Sequence, residues 1–233
     1  PSRGLGDVYK RQKEVATGKQ QFALTSCCPS WSVMAKNLFP ETIDKISNEL
    51  TPMVATARLI KQEHPDASVV FIGPCASKKL EASRRTVRSD VDFVITFEEL
   101  TGMFEAKGIL LDEIKAMDEM KDATAAGRGY GVAGGVANAI KECIEKYYPG
   151  TPVNIQHAES LAECKKALLL AKAGKMNGCL IEGMACPGGC IAGAGTNIAI
   201  PVAAKAVDKF KNEAEKKVPD ESVDQEMVEL EKE

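Results

Sequence analysis

Three short segments rich in cysteine, glycine and proline constrain this chain more than any other feature of its sequence. They are Thr25-Ser26-Cys27-Cys28-Pro29-Ser30-Trp31, Gly73-Pro74-Cys75-Ala76-Ser77-Lys78-Lys79 and Met184-Ala185-Cys186-Pro187-Gly188-Gly189-Cys190. Together they hold five of the eight cysteines. Eight cysteines without a secretion signal, two of them adjacent, favour metal binding in a reducing compartment over a disulfide framework. The other three, Cys143, Cys164 and Cys179, are interpreted as small buried hydrophobic residues.

The composition excludes several classes of partner. At 233 residues and 44% hydrophobic content, the chain can bury a core of one large or two small domains. The 30 basic and 33 acidic residues are mostly interspersed, for a net charge of -3, so no basic stripe for nucleic acid or basic face for a membrane is indicated. No apolar run approaches the roughly 20 residues of a transmembrane helix, and no signal peptide is recognisable. We expect no nucleic-acid or membrane partner and a cytoplasmic location.

Short apolar runs alternate with segments of helical periodicity. Strands are predicted at residues 22–24, 68–72, 91–95, 153–155 and 178–181. Helices are predicted from Thr51, from Thr96 to about Lys107, from a glycine-rich turn at 127–135 to Tyr148, from Ser160 to Ala173 and from Val202. The alternation predicts an α/β protein with largely parallel sheets flanked by helices. Because each cysteine segment follows a predicted strand, and loops at the carboxyl ends of parallel strands cluster, the three segments are expected to meet.

Local signals refine these elements. Thr51 is expected to cap a helix whose first residue is Pro52, and Thr96 to cap another with acids in its first turn. The uninterrupted, β-branched run at 68–72 predicts a buried strand. Both histidines, His64 and His157, are expected to cap or lie on the surface, and Trp31 to pack behind the first segment.

The ends of the chain differ from its middle. Residues 1–12 show no usable periodicity and are interpreted as a non-native or unstructured leader. Residues 206–233 start as a helix and become a charged tail. The region between them, residues 13–205, is expected to form the functional domain.

The cysteine spacing narrows the choice of metal. Thiolates select zinc, copper(I) or iron-sulfur clusters, so the ligand type alone leaves all three open. Zinc ribbons use two tight Cys-x-x-Cys knuckles, whereas here two isolated cysteines precede one Cys-x-x-x-Cys. The paired glycines of the third segment would let backbone approach a bulky cluster. A four-iron, four-sulfur cube is favoured.

In their order and intervals, the three segments resemble the signature motifs of the FeFe hydrogenase catalytic domain, the H-cluster domain, over roughly residues 20–205. The resemblance implies a two-lobed α/β fold with the cluster between the lobes, and the interconversion of two protons and two electrons with H2. It implies that the cube is held by Cys28, Cys75, Cys186 and Cys190. It also implies that Cys190 bridges to a two-iron subcluster with carbon monoxide, cyanide and dithiolate ligands.

The resemblance assigns roles to further residues. Cys27 matches the proton-donating thiol beside the open iron site. Lys78 matches the lysine that binds a cyanide ligand, followed by Glu81 in a supporting role. Met184 matches a methionine packed near the bridging carbonyl, although a core position is the alternative.

Two more positions are assigned in the same way. Tyr130-Gly131 stands where the family usually has Phe-Gly against the cluster, and Ser47 aligns with a serine of the proton relay. The implied partners are ferredoxin or a similar electron carrier and the maturation proteins that supply the two-iron unit.

The sequence also departs from the family pattern. Gly73 replaces a methionine, Ser30 replaces a glycine, and Gly193-Ala194-Gly195 replaces a triple glycine, which indicates a divergent branch. The family has a further stretch of catalytic domain before the first motif, so we expect a truncated domain. Two alternative functions stay open: an H2-sensing regulatory module, and a cube-only relative in iron-sulfur assembly or electron transfer. Cys27 and Lys78 argue against the second alternative, because a plain cube needs neither.

Overall fold

The structure, a computed structural model, describes residues 17–115 and 123–217. Its strands are β1 (Phe22–Leu24), β2 (Val70–Ile72), β3 (Phe93–Ile95), β4 (Asn154–Glu159) and β5 (Cys179–Met184). Its α-helices are α1 (Pro29–Leu38), α2 (Pro52–Glu63), α3 (Ser77–Ala82), α4 (Phe97–Ala106), α5 (Ala125–Arg128), α6 (Gly135–Tyr147), α7 (Leu161–Lys172) and α8 (Ile200–Asn212). Short 3-10 helices lie at Pro40–Lys45, Leu111–Glu113 and Cys190–Ala192. None of the described helices is long and apolar enough to cross a membrane.

The strands form two parallel sheets, which confirms the predicted α/β class. The larger sheet has the order β1-β5-β4, and β2 pairs with β3 in the smaller one. Every strand pair is parallel, and helices supply the crossovers that parallel neighbours need. Parallel strands end at the same edge of a sheet, so the first and third cysteine segments, which follow β1 and β5, begin side by side.

The main core lies on both faces of β5, every residue of which is buried. On one face Ile181 packs with Trp31 of α1 and Leu168 of α7. On the other face Leu180 packs with Ile140 of α6. A central parallel strand covered on both faces is expected to be almost continuously apolar, as β5 is.

Trp31 is fully buried against β5, as its predicted packing role requires. A Cβ atom added at Gly183 would lie 2.2 Å from the Trp31 ring, so only glycine leaves room for the indole. The indole Nε1–H donates to the carbonyl oxygen of Thr25 at 3.0 Å. The tryptophan thereby holds α1 and the first cysteine segment against the central strand.

Gly183→Ala is expected to destabilise the protein by about 1–3 kcal/mol or more, because the added methyl group overpacks a core that cannot yield. Gly102→Ala is the matched control: Gly102 lies within α4 with no heavy atom within 4 Å of an added Cβ. Alanine should stabilise that helix by about 0.5–1 kcal/mol. Urea unfolding of both variants measures the difference, and equal unfolding free energies would contradict the close packing at Gly183.

The smaller sheet corrects one prediction. The strand predicted as buried at 68–72 spans only Val70–Ile72, and Val70 and Ile72 are 44% and 45% exposed. Phe71, pointing the other way, packs against a cluster of Met53, Val54, Ala57, Val87 and Val91. Successive side chains point to opposite faces of a strand, and described residues cover only one face of this sheet. The uninterrupted apolar run at 68–72 therefore did not indicate a strand that is buried on both faces.

Of the two predicted helix caps, the one at Thr96 is confirmed and the one at Thr51 is wrong. The Thr96 hydroxyl accepts the Glu99 N–H, and the Glu99 carboxylate accepts the Thr96 N–H, which confirms the predicted cap as a full capping box. Helix α2 does begin at Pro52 after Thr51. However, the Thr51 hydroxyl makes no cap bond, and its oxygen is buried without a hydrogen-bond partner among the described residues.

Several other elements differ in extent from the predictions. The glycine-rich turn at 127–135 begins inside the short helix α5, because Thr124 caps it by accepting the Gly127 N–H. Strand β4 continues to Glu159, beyond the predicted end at 155. Helices α1 and α3, which follow Cys28 and Cys75, were not predicted. Proline at the first position of α1 is the signal that was missed.

The cysteines outside the three segments largely match their predicted role. Cys164 and Cys179 are buried in the core beside β5, whereas Cys143 is only partly buried. The eight cysteines all lie within the described residues and form no disulfide. Helix α8 runs across the boundary drawn at residue 205. The proposed leader at 1–12 and the tail beyond residue 217 lie outside the described residues, so their assignment stays a prediction.

Candidate metal centre

The first and third cysteine segments lie next to each other because β1 and β5 are hydrogen-bonded neighbours. The pairing continues past β1, where the Thr25 N–H donates to the Ile181 carbonyl oxygen at 3.1 Å. Cys28 then occupies the N-cap position of α1, and its carbonyl oxygen accepts the Ser32 N–H at 3.0 Å. The third segment leaves β5 after Met184.

The second segment reaches the same place from the smaller sheet. The Gly195 N–H donates to the Pro74 carbonyl oxygen at 2.9 Å, which ties this segment to the chain after Cys190. A Cβ at Gly193 would lie 2.2 Å from the same carbonyl oxygen, so glycine is required for that contact. The Ser30 and Ser77 hydroxyls are hydrogen-bonded to each other across the first and second segments. All three segments therefore meet.

The four cysteines expected to hold a cube act on one another electrostatically. Burial, followed by Cys75 and Cys28, raises the pKa of Cys190 to about 11, against a smaller lowering by Lys78. Burial and then Cys28 and Cys75 also raise the pKa of Cys186. Cys28 and Cys75 thus lie near enough to Cys186 and Cys190 to act on them, as four ligands of one polynuclear group must.

The number and type of these thiols match one kind of metal group. An iron-sulfur cube takes one thiolate at each of four separate corners. In residues 17–115 and 123–217, no three Cys, His, Asp or Glu side chains are close enough to hold one metal ion. Four neighbouring cysteines are the ligand set that such a cube needs.

The third segment adopts a backbone that only glycine accommodates. Gly188 and Gly189 have φ values of +87° and +91°. A Cβ at Gly189 would lie 2.4 Å from the Ala133 nitrogen and 2.8 Å from the Gly131 carbonyl oxygen. The Ala133 N–H donates to the Gly188 carbonyl oxygen at 3.1 Å. These contacts bring the glycine-rich loop before α6 against the cysteine segment.

Lys78 is a buried cation in this pocket. Its ammonium donates to the Glu81 carboxylate at 2.7 Å, and the two residues are only 8% and 4% exposed. The same ammonium lowers the pKa values of Cys27 and Cys190, though burial raises both more strongly. The structure thus places Lys78 near two of the thiols, with Glu81 as its supporting partner.

Cys27 stands beside the four thiols as a fifth. Burial raises its pKa far above the usual range, and the charges of Glu182, Cys28 and Cys190 add to that effect. Cys27 is therefore held in its protonated form at neutral pH. The structure thus brings a fifth thiol to the pocket, beside the four candidate ligand thiols.

Tyr130, Gly131 and Met184 lie around the same pocket. Burial raises the pKa of Tyr130, and Cys143 and Cys27 raise it further, which places the phenol near the fifth thiol. The Gly131 carbonyl oxygen accepts the Ile191 N–H at 3.2 Å, one residue beyond Cys190. Met184 is 3% exposed at the end of β5.

Ser47 lies buried beside β1. Its N–H donates to the Leu24 carbonyl oxygen at 2.8 Å, and its hydroxyl accepts the Glu49 N–H at 3.2 Å. The neighbouring Glu49 carbonyl oxygen accepts the Ser26 hydroxyl, which ties this stretch to the first cysteine segment. Ser47 is thus brought to the side of the pocket that carries Cys27.

The sequence analysis missed Glu182 and undervalued His157. Glu182 is 1% exposed in β5, and its carboxylate lies 3.1 Å from His157 Nδ1 on β4. A lone acid inside the apolar run of β5 was the available signal, since such a group needs a partner. His157 lies exposed on the surface, as predicted, but its ring also has Glu182 as a partner. His64 does end helix α2 as an exposed residue, as predicted.

Comparison with known proteins identifies the family. Residues 7–194 match the model for the iron only hydrogenase large subunit, C-terminal domain. The chain belongs to this iron-only hydrogenase family. The periplasmic [Fe] hydrogenase large subunit of Nitratidesulfovibrio vulgaris is 29% identical over 79% of this chain and 53% of that protein. The chain thus spans about half the length of that relative.

Two further matches support different statements: a solved structure shows a shared fold, and a curated relative is an assembly factor. A variant of [FeFe]-hydrogenase HydA1 from Chlamydomonas reinhardtii matches 96% of this chain and 75% of that chain, with a TM-score of 0.76 and 21% identity. That match shows a shared fold. The cytosolic Fe-S cluster assembly factor NAR1 of Kluyveromyces lactis is 39% identical over 34% of this chain and 17% of that protein. Family membership implies an iron-sulfur cofactor, and the four neighbouring thiols fit one.

Proposed function

We propose that this chain is the catalytic part of a hydrogenase that interconverts two protons and two electrons with H2. The observation that carries the proposal is a fifth thiol, that of Cys27, held next to four candidate ligand thiols and the buried Lys78 ammonium. A cube needs only four thiolates, so a fifth, protonated thiol and a buried cation point to chemistry beyond electron transfer.

Each residue then has a defined task. The cube would be held by Cys28, Cys75, Cys186 and Cys190. Lys78 would donate a charge-assisted hydrogen bond to a cyanide ligand of the two-iron unit, oriented for that by Glu81. Met184, Tyr130 and Gly131 would form walls of its pocket. When bound, the complete cofactor supplies the electrons and the iron site at which H2 is made or split.

Proton movement falls to the chain itself. Cys27 would hold a proton on its sulfur and release it towards the cofactor, as a general acid within hydrogen-bond reach. Ser47 would belong to the relay on the same side. A ferredoxin or similar carrier would exchange the electrons, and maturation proteins would deliver the two-iron unit. The cytoplasmic location remains a prediction.

A second candidate function is a cube-only role in iron-sulfur assembly. The similarity to the assembly factor NAR1 over a third of the chain favours it. Such a role would use the four ligand cysteines and leave Cys27 and Lys78 without a task. The hydrogenase proposal explains both of these residues, so it is preferred.

The distinguishing experiment is an infrared spectrum of the anaerobically reconstituted chain, loaded with a synthetic two-iron cofactor. We expect sharp carbon monoxide and cyanide bands that are shifted from those of the free cofactor, because a pocket orients and hydrogen-bonds these ligands. Cys190→Ser should lose the shifted bands. Cys179→Ser, which changes a cysteine of β5 outside the three segments, should keep them.

The cube's own absorbance decides what a negative spectrum means. An intact cube with only free-cofactor bands would contradict the hydrogenase proposal and favour the assembly role. Shifted bands would lead directly to an assay of H2 production with a reduced electron donor.

A further inference from the structure

The side chain of Glu159 is bonded to the backbone of the third cysteine segment. Glu159 is the last residue of β4 and pairs in register with Met184, the last residue of β5. Its carboxylate accepts the Gly188 N–H at 2.9 Å. Gly188 lies midway between Cys186 and Cys190 in the chain. An acid is therefore attached to the loop that joins two of the candidate cluster ligands.

The turn that follows Glu159 has an unusual backbone. Ser160 has a φ of +105°, and no other non-glycine residue in the described part of the chain has a positive φ. Its N–H donates to the Met184 carbonyl oxygen at 2.9 Å, and its hydroxyl accepts the Glu163 N–H at the start of α7. The Glu163 carboxylate accepts the Glu159 N–H at 2.9 Å. These bonds hold a strained turn in place, and strain of this kind is concentrated at functional sites.

No cation neutralises the Glu159 carboxylate. Within the described residues it forms no ion pair with lysine, arginine or histidine. Lys78, the buried cation of the pocket, pairs with Glu81 instead. Glu159 is only partly exposed, and Ile200 of α8 packs over the loop, with its Cγ2 atom 3.1 Å from a Cβ added at Gly188. A charge in this position is screened less than a charge in open water.

The covalent geometry of the loop limits the distance from this charge to the two ligands. Cys186 and Cys190 each lie two residues from Gly188, and consecutive Cα atoms are about 3.8 Å apart. The Glu159 oxygen bonded to Gly188 therefore lies no more than about 12 Å from the Cα atom of either cysteine. At an effective dielectric constant of about 20, a unit charge at that distance changes an equilibrium that adds one charge by about tenfold.

We propose that Glu159 lowers the reduction potential of the cube. Reduction adds one electron, and with it one negative charge, to the iron-sulfur group while the four thiolates stay bound. The carboxylate on the loop from Cys186 to Cys190 opposes that added charge. The same carboxylate occupies the Gly188 N–H, which is then not free to donate to a cluster sulfur and favour the reduced form. Both effects require a low-potential, one-electron carrier as the partner that reduces the cube.

A purely structural latch is the competing explanation, because the bond from Glu159 to Gly188 also ties the end of β4 to the cysteine segment. The two explanations differ for glutamine, which keeps an oxygen that accepts the Gly188 N–H but carries no charge. A latch would survive Glu159→Gln, whereas an electrostatic effect would be lost. The inference concerns the cube alone, so it goes beyond the proposed function and applies to a hydrogenase and to an assembly factor alike.

The experiment measures the reduced fraction of the cube in the anaerobically reconstituted chain, equilibrated with redox mediators at a series of solution potentials. Electron paramagnetic resonance detects the one-electron-reduced cube without any H2 turnover. At equal solution potential, the ratio of reduced to oxidised cube should rise about tenfold in Glu159→Gln, which corresponds to about 59 mV for one electron. Glu159→Ala should raise the ratio at least as far, because it also frees the Gly188 N–H.

The control variant makes the same charge change elsewhere. Glu63→Gln alters an exposed acid at the end of α2 and should keep the ratio within about twofold. A rise of less than about threefold in Glu159→Gln would overturn the proposal, even with a shift in Glu159→Ala, since the carboxylate would then act only as a latch. Loss of the cube in Glu159→Gln would overturn it as well, because the side chain would then serve cluster binding.

The outcome is independent of the test for the two-iron unit. Absence of shifted carbon monoxide and cyanide bands would refute the hydrogenase function and leave the measured potentials of the cube unchanged. Shifted bands together with equal potentials in the original chain and Glu159→Gln would support the hydrogenase function and refute the role proposed for Glu159.

Discussion

Cys27→Ala is expected to lower H2 turnover by about 10²–10⁴-fold, the range supplied by a positioned general acid. Cys27 lies next to Cys28 and is not among the four proposed ligands, so its thiol keeps a proton that a positioned general acid can pass to the bound cofactor. Alanine removes the proton but none of the four candidate ligands. The cube's absorbance and the shifted infrared bands should therefore persist while turnover is lost.

The controls for Cys27 test acidity separately from size. Cys27→Ser keeps a hydroxyl of similar volume that is a much weaker acid, so its turnover should fall nearly as far as that of the alanine variant. Cys143→Ala removes a partly buried thiol of α6 outside the three segments and should keep turnover within a few-fold. Turnover measured by gas chromatography at equal cofactor loading compares the variants. Near-normal turnover in Cys27→Ala would remove the proton-donor role.

Lys78→Met is expected to destabilise the cluster-free chain by about 3–5 kcal/mol, because removal of one partner of a buried ion pair leaves the other charge unpaired. The Lys78 ammonium and Glu81 carboxylate are 2.7 Å apart, with side chains only 9% and 6% exposed. Methionine fills a similar volume without the charge, so lost packing contributes little. Urea unfolding under anaerobic, reducing conditions measures the change in unfolding free energy.

The next lysine provides a matched control. Lys79 pairs with Glu99, but those side chains are 43% and 48% exposed. Lys79→Met should therefore cost no more than about 1 kcal/mol. The double variant Lys78→Met/Glu81→Leu should recover most of the lost stability, because no buried charge remains. Equal effects of the two single lysine substitutions would show that the Lys78 pair is solvated and unfit to orient a ligand.

Local sequence signals predicted the framework of the site well. The apolar runs before Cys27 and Cys186 are strands β1 and β5, and the parallel pairing of these strands brings their cysteine segments together. The Thr96 capping box forms as its spacing predicts. The strands and the capping box depend on residues close together in the chain, and the pairing of β1 with β5 follows from the general rule that loops after parallel strands cluster.

Burial in the smaller sheet could not be predicted in the same way. Val70 and Ile72 are as apolar as the residues of β5, yet they lie half-exposed. What separates the two strands is the number of faces that other elements cover, and this depends on packing between distant segments. The Thr51 hydroxyl, which has no partner within the described part of the chain, is a similar case: its position at a helix start was predictable, but its surroundings were not.

The sequence by itself determined which residues are the candidates for the chemistry: four cysteines for a cluster, a fifth beside them, and a lysine three positions after Cys75. Only the tertiary structure decided which groups act together. Lys78 is a buried cation because Glu81 lies one helical turn away in the same pocket, and Glu182 has His157 as its partner because β4 and β5 pair in that register. Charge, burial and proton exchange depend on distances across the fold, and strand register and helix packing set those distances.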